Sequence, residues 1–279
     1  MIHFTKMQGI GNDYIYVDAS REKISDPHEL ARRISDRHFG VGSDGLVLIL
    51  PASGEADFEM RMFNSDGSEA EMCGNAARCV GKYLYDRGLT DSREIRLKTG
   101  SGIRILSLET EGGAVSSVTV DMGAPVLNYR RIPTTLAGDP VLDTPVAFGE
   151  CTLGLTCVNM GNPHAVTFVK DTEAFDVHGI GPLAEHSPLF PERINTEFAT
   201  VLDRHTIRMR VWERGAGETM ACGTGACATL VAAVLNHLTD REAVLKLNGG
   251  DLRIRWDEET GHVLMTGPAE FVFEGDYPD

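Results

Sequence analysis

The chain has no apolar run close to the roughly 18–20 residues needed to cross a bilayer, so a membrane span is not expected. Its opening residues carry no basic start, apolar stretch or small-residue cleavage site, so no secretory signal is expected and the location read from sequence is cytoplasmic. Basic residues are outnumbered 26 to 41 and form no cluster, which at a net charge of −15 argues against a nucleic-acid surface. No Cys-x-x-Cys pair occurs. The 6 cysteines fall into three loose pairs with spacings of five or six residues, unsuited to structural zinc, so no metal is expected. In a reducing compartment such cysteines are thiols rather than cross-links. The lysines (Lys6, Lys23, Lys82, Lys98, Lys170 and Lys246) sit in neither a phosphate loop nor a recognisable pyridoxal setting, and no cofactor is expected. What remains is a globular composition, 42% apolar and 24% charged, in 279 residues, long enough for two domains.

What the chain does have is an internal repeat. Met60–Ala77 and Met209–Ala226 align without a gap and match at Met60/Met209, Arg61/Arg210, Glu69/Glu218, Cys73/Cys222, Gly74/Gly223 and Ala77/Ala226. Phe63 meets Trp212 as a like pair, and upstream Gly11-Asn12 recurs as Gly161-Asn162. The repeat places a boundary near 120–125, where Asp121-Met-Gly-Ala-Pro125 punctuates the chain. The expected domains are 1–122, to which 268–279 can return, and 123–267.

Strands are predicted at 14–17, 46–50 and 58–63 from β-branched content or alternation. Alternation over 151–157 puts Cys151, Leu153, Leu155 and Cys157 on one face, as core side chains. A helix is expected from Asp26, with Pro27 at its first position, to Gly40. Two more run from about Asn75 to Asp86 and from Gly225 to about Leu238. The second of these is apolar nearly all round and therefore buried. Turns are read at Gly112-Gly113, at 137–140 and at 247–251, the last as a hairpin. The fold class is α/β (α+β). Two pseudo-symmetric lobes are expected, each a curled, mostly antiparallel sheet wrapped around a central helix, with the active site in the cleft between them.

Each repeat sets a cysteine and a glycine immediately before a helix. Unsatisfied N–H groups and the helix dipole there favour a thiolate and can bind a carboxylate. Glycine lets the backbone approach closely. One such thiol on each face of a carbon is what inversion of a stereocentre by proton transfer requires, with water exclusion and oriented dipoles in place of a cofactor. On that reading Cys73 and Cys222 are functional, whereas Cys79, Cys227, Cys151 and Cys157 are core residues. A redox protein would show a resolving cysteine nearby, and a simple binding module has no need of two opposed thiols.

Met72-Cys-Gly-Asn-Ala-Ala-Arg78 and Glu213-Arg-Gly-Ala-Gly-Glu-Thr-Met-Ala-Cys-Gly-Thr-Gly-Ala226 resemble the two signatures of the diaminopimelate epimerase family. Gly9-Ile-Gly-Asn-Asp13, Phe63-Asn-Ser-Asp-Gly67 and Gly161-Asn-Pro-His164 fit the same family in order and spacing. The resemblance implies a cofactor-independent homodimer that interconverts LL- and meso-2,6-diaminopimelate for lysine and peptidoglycan synthesis. It implies Cys73 and Cys222 as the acid/base pair, with His164 and Glu213 assisting. Substrate contacts are implied at Asn12, Asn64, Asn162, Asn195, Glu213 and Arg214, and carboxylate binding at the backbone of Gly74-Asn75 and Gly223-Thr224. Proline racemases and hydroxyproline epimerases resemble the same architecture. They are expected to carry a histidine after the first Cys-Gly and serine-proline before the second cysteine, where this chain has Asn75 and Met220-Ala221. One departure from the family pattern stands at Gly45, where some relatives carry a glutamine that touches substrate. A Gly45→Gln change is expected to alter binding only modestly.

Overall fold

The computed structural model describes residues 1–278. The chain divides into two compact units: Met1–Asp121 with the segment from Thr266 onward, and Met122–Met265.

The first unit runs β1 (Ile2–Gly9), β2 (Asn12–Asp18), α1 (Pro27–Ser35), β3 (Gly45–Pro51), β4 (Phe58–Asn64), β5 (Glu69–Ala70), α2 (Gly74–Asp86), β6 (Glu94–Thr99), β7 (Gly102–Glu111) and β8 (Ala114–Asp121). The second runs β9 (Thr144–Phe148), β10 (Cys151–Asn159), β11 (Pro163–Phe168), α3 (Val177–Glu185), β12 (Asn195–Asp203), β13 (Thr206–Glu213), β14 (Gly217–Glu218), α4 (Gly223–Leu235), β15 (Glu242–Leu247) and β16 (Gly250–Trp256). Strand β17 (Val263–Gly267) carries the chain back, and β18 (Glu270–Tyr277) completes the first unit.

Within the first unit β1 pairs antiparallel with β18 and β2, β2 lies parallel to β3, β3 pairs antiparallel with β4, and β4 lies parallel to β6. The second unit repeats this grammar. There β10 pairs antiparallel with β9 and β11, β11 lies parallel to β12, β12 pairs antiparallel with β13, and β13 lies parallel to β15. Even the register repeats: Tyr14 stands beside Gly45 and His164 beside Asn195, while Leu46 faces Phe63 and Thr196 faces Trp212. The Gly-Asn echo has a conformational cause, because Gly11 and Gly161 both take left-handed backbone, at φ 86° and 103°, in the turns after β1 and β10.

Each unit is built around a buried helix. Helix α2 packs on β1, β2, β7 and β8, and α4 on β10, β11, β12, β15 and β16. Burial of α4 from Gly223 to Ala233 follows from its all-round apolar sequence, except at Thr224, which is only partly covered. Hiding Leu230 and Val231 stabilises by roughly 1.5–3 kcal/mol each. That offsets the ~1 kcal/mol that each glycine in its first turn costs. Helix α2 is equally buried although it contains Arg78 and Lys82. Lys82 Nζ donates to the Val115 carbonyl at 2.6 Å and pairs with Asp86 at 2.9 Å, so its charge is compensated inside the unit.

Helix α1 begins as expected, with Asp26 accepting from Glu29 N at 3.0 Å and Pro27 following. It stops at Ser35 rather than Gly40. Gly40 instead marks where the chain folds back over the last turn, since a Cβ there would lie 2.2 Å from the Arg33 carbonyl oxygen. Helix α4 likewise starts two residues earlier than expected, directly after the cysteine, and ends at Leu235. Leu153, Leu155 and Cys157 lie in one buried cluster with Phe190 and Phe198, and Cys151 packs against it. Helix α3, capped by Asp176 on Gly179 N at 2.8 Å, has no counterpart in the sequence reading.

Candidate active site

In the first unit Cys73 is the cap residue of α2, in extended backbone at φ −136° and ψ 122°. Its Sγ donates to Asn12 Oδ1 at 3.3 Å, and Asn75 Nδ2 donates to the same oxygen at 3.4 Å. The amide of Asn12 cannot turn freely, because its Nδ2 donates to Asp44 Oδ2 at 2.7 Å. Asp44 is held in turn by Arg37, which also binds Asp13, and Asp13 pairs with Lys6 at 2.8 Å. These two cations hold the Asp13 carboxyl below its ordinary range against the opposing pull of burial, the largest single influence on it. Asn75 is fixed by Arg78 Nη1 at 2.9 Å, and Arg78 Nε reaches the Pro268 carbonyl. Asn12, Cys73 and Asn75 thus form one hydrogen-bonded group, with Gly74 inside it. Asn64, at the end of β4, donates to Ser68 Oγ at 3.0 Å.

In the second unit Cys222 caps α4 in the same extended conformation, φ −117° and ψ 109°. Its Sγ accepts from Gly225 N at 3.4 Å and lies 3.5 Å from Thr224 Oγ1. Glu213 is a hydrogen-bond partner of Cys222 and accepts from Thr219 Oγ1. Burial first, and the nearby Glu197 charge, push the Glu213 carboxyl upward. The Cys222 thiol is pushed well above its usual value by burial and then by Glu213 and Glu197. The helix start eases ionisation as expected, yet for Cys222 it is outweighed by desolvation and two carboxylates. His164, fully buried, sets Nδ1 at 2.6 Å from Glu197 Oε1 and Nε2 at 2.9 Å from Asn162 Oδ1. Asn195 donates to the Pro163 carbonyl at 2.8 Å and accepts from Arg214 N at 2.9 Å, fixing the turn that carries Arg214. The Arg214 guanidinium reaches the Glu192 carbonyl at 3.0 Å.

The repeated Arg and Glu also acquire a purpose. Arg61 grips Glu69 through two parallel bonds of 2.8 and 3.0 Å, and Arg210 grips Glu218 at 2.7 and 2.9 Å. Each pair ties the short strand β5 or β14 to its neighbour just before the cysteine, setting the thiol's approach to its helix.

Gly45 corrects an expectation. A Cβ at this position would lie 2.1 Å from the Phe63 carbonyl oxygen and 2.8 Å from Tyr14 Cε1, so glutamine there cannot be a modest change. Glu197, Asp44 and Glu185 were not found from sequence. Glu185 of α3 accepts from Trp212 Nε1 and Gly215 N at 2.8 and 2.9 Å, bracing the turn that bears Glu213 and Arg214. All three lie outside the matched stretches 60–77 and 209–226, so the repeat carries no signal for them.

A model of the diaminopimelate epimerase family matches residues 4–128 and 156–272. Over 275 residues the chain is 58% identical to a diaminopimelate epimerase of Acetivibrio thermocellus, covering 99% of this chain and 98% of that one. The chain belongs to the diaminopimelate epimerase family. A diaminopimelate epimerase of Methanococcus maripaludis is 56% identical, with 98% of each chain covered. Among solved structures, a probable proline racemase from Agrobacterium radiobacter with bound carbonate superposes with a TM-score of 0.73 at 16% identity, over 100% of this chain and 93% of that one. A phenazine biosynthesis protein of the PhzF family from Bacillus anthracis gives 0.70 at 17% identity, over 100% and 99%. At such identities these neighbours establish the mixed α/β fold alone. Membership of the diaminopimelate epimerase family rests on the sequence relatives.

Proposed function

We propose that the protein interconverts LL- and meso-2,6-diaminopimelate by moving one α-proton, without a cofactor, with Cys73 and Cys222 as the two bases. The observation that carries this reading is the repeated construction. Each unit holds a cysteine at the cap of a buried helix, behind a hairpin clamped by an Arg–Glu pair, in a chain 58% identical to a named epimerase. Four groups of N–H donors at Gly74, Asn75, Gly223 and Thr224 suit the α-carboxylate, as helix starts do. Asn12, Asn64, Asn162, Asn195 and Glu213 suit the ammonium groups and amino-acid backbone of the substrate, and Arg214 its distal carboxylate. In each turnover a thiolate takes the α-proton from one face and a thiol delivers a proton to the other. His164 and Glu213 assist at Cys222. Action as a cytoplasmic homodimer belongs to the same proposal.

Proton NMR of LL-diaminopimelate in D₂O tests it. The α-signal should exchange and meso product appear with no pyridoxal phosphate added. Activity that requires added pyridoxal phosphate, or no exchange at all, would sink the reading. The two thiols are separated by a substrate with a good leaving group beside Cα, whose elimination needs one base only. Cys73→Ala and Cys222→Ala should each lose epimerisation yet eliminate from one isomer. Equal elimination from both isomers would point to a single base.

A further inference from the structure

The two units agree strand for strand, so the places where they differ chemically are informative. On β3, Val47 faces Met62, and on β12 Glu197 faces the equivalent Val211. On β2 Tyr14 stands where β11 has His164. Third after each cysteine, α2 has Ala76 and α4 has Gly225. These three differences form one unit of structure. Glu197 is fully buried, bonds His164 through Oε1, and that same oxygen sits where a Cβ at position 225 would come within 2.6 Å. Gly225 is therefore the glycine that admits the Glu197 carboxylate to the start of α4. The first unit fills the same places with buried Val47 and Ala76.

A buried carboxylate is costly unless hydrogen-bonded, and Glu197 Oε2 has no partner among the described residues. Its single bond is to His164, whose other nitrogen faces Asn162. Such a placement makes little sense for stability, since the matching valine serves the other unit. We propose that Glu197 is a positioning residue of the second half-site, which orients His164 and keeps the proton on Cys222, so that the two thiols are unequal before substrate arrives. The groups that act on Cys222 are Glu213 on β13, Glu197 on β12, and Thr224 and the Gly225 N–H on α4. His164 on β11 and Thr219 after β14 act on those two carboxylates, and Cys157 on β10 also feels Glu197. Neither carboxylate has a carboxylate counterpart in the first unit, where Asn64 stands at the position of Glu213 and Val47 at that of Glu197. Of the two, Glu197 is the one that also holds His164 and enters the space left by Gly225.

The inference rests on Cys222 being a proton-transfer thiol, but its test needs no turnover, so its failure is separable from that of the epimerase reading. The rate of iodoacetamide modification at Cys222 and at Cys73 would be followed against pH by peptide mass spectrometry. In the unaltered protein the Cys222 midpoint should lie above that of Cys73, and the reverse order overturns the proposal. Glu197→Gln should lower the Cys222 midpoint by about one pH unit, a roughly tenfold gain in thiolate at a given pH, and leave Cys73 unmoved. Glu197→Asp, which keeps the charge, should restore most of the difference. If Glu197→Gln does not fold, the pair Glu197→Val with Gly225→Ala reproduces the packing of the first unit and should show the same shift. A Cys222 midpoint that stays put, or that moves together with Cys73, defeats the assignment.

Discussion

Gly45 occupies the first position of β3 with the Phe63 carbonyl where a side chain would begin. Overpacking of this kind usually costs 1–3 kcal/mol, and here the obstacle is backbone that cannot step aside. Gly45→Ala is expected to lose about 3 kcal/mol in urea unfolding, and a loss below ~1 kcal/mol would show that the strand pair yields. Glu213 makes a second residue-level prediction. Burial raises its carboxyl, so the folded state holds this proton more tightly than the unfolded chain does. Its contribution to stability is complete below the ordinary carboxyl range near 4.5 and is lost as pH rises through the raised value. Stability of Glu213→Gln should therefore fall less than that of the unaltered protein from about pH 4.5 toward neutrality. Parallel curves would place the strain elsewhere.

Among the elements, the two Arg–Glu clamps look identical in sequence but not in setting. Arg61 and Glu69 are about 40% exposed, at 38% and 42%, whereas Arg210 and Glu218 are at 15% and 13%. Arg210 also donates to the Thr172 and Phe175 carbonyls, at 3.0 and 3.2 Å, tying β13 to the segment that leads into α3. An exposed pair is worth under about 1 kcal/mol, while breaking a buried one costs roughly 3–5 kcal/mol by stranding its partner. Arg210→Ala should accordingly lower stability by about 3 kcal/mol and Arg61→Ala by less than ~1 kcal/mol, as measured by thermal or urea unfolding. Equal losses would mean that exposure is not what separates them. The helices behave comparably. Helix α4 is buried because its sequence is apolar, but α2 is buried because Asp86, Asn75 and backbone carbonyls receive the charges of Lys82 and Arg78.

Across the whole molecule, buried thiols set a limit at high pH. Burial pushes Cys79 up to about 11 and Cys157 to about 12, from an ordinary 9.0. Above pH 9 the unfolded chain releases these protons and the folded one does not. Stability should then fall by roughly 1.4 kcal/mol per pH unit for each thiol, up to pH ~11 for Cys79 and ~12 for Cys157. Cys157→Ala should start from a lower baseline because it leaves a cavity, yet lose stability less steeply over that range. An unchanged slope in an alkaline urea series would exclude this thiol as the source.

Sequence alone determined what local chemistry and repetition encode. The placement of Cys73 and Cys222 at helix starts was legible because a glycine and a matching stretch are short-range features. Strands at 46–50 and 58–63, the Asp26-Pro27 helix start and the core face of 151–157 were legible from alternation and capping for the same reason. The all-round apolar pattern of α4 sufficed to predict its burial. Helix ends were less legible, since the halt of α1 at Ser35 depends on the chain folding back at Gly40. Tertiary structure alone decided which polar groups each thiol meets. Asp44 reaches Cys73 only through Asn12, and Glu197 reaches the Cys222 half-site only because the parallel pairing of β11 and β12 brings Asn195 beside His164 and Glu197 against α4. Such pairings join residues tens of positions apart, and no periodicity or spacing in the chain records them. The direction in which Cys222 is tuned was decided at the same level, because desolvation and neighbouring charge act through space and outweigh the local pull of a helix start.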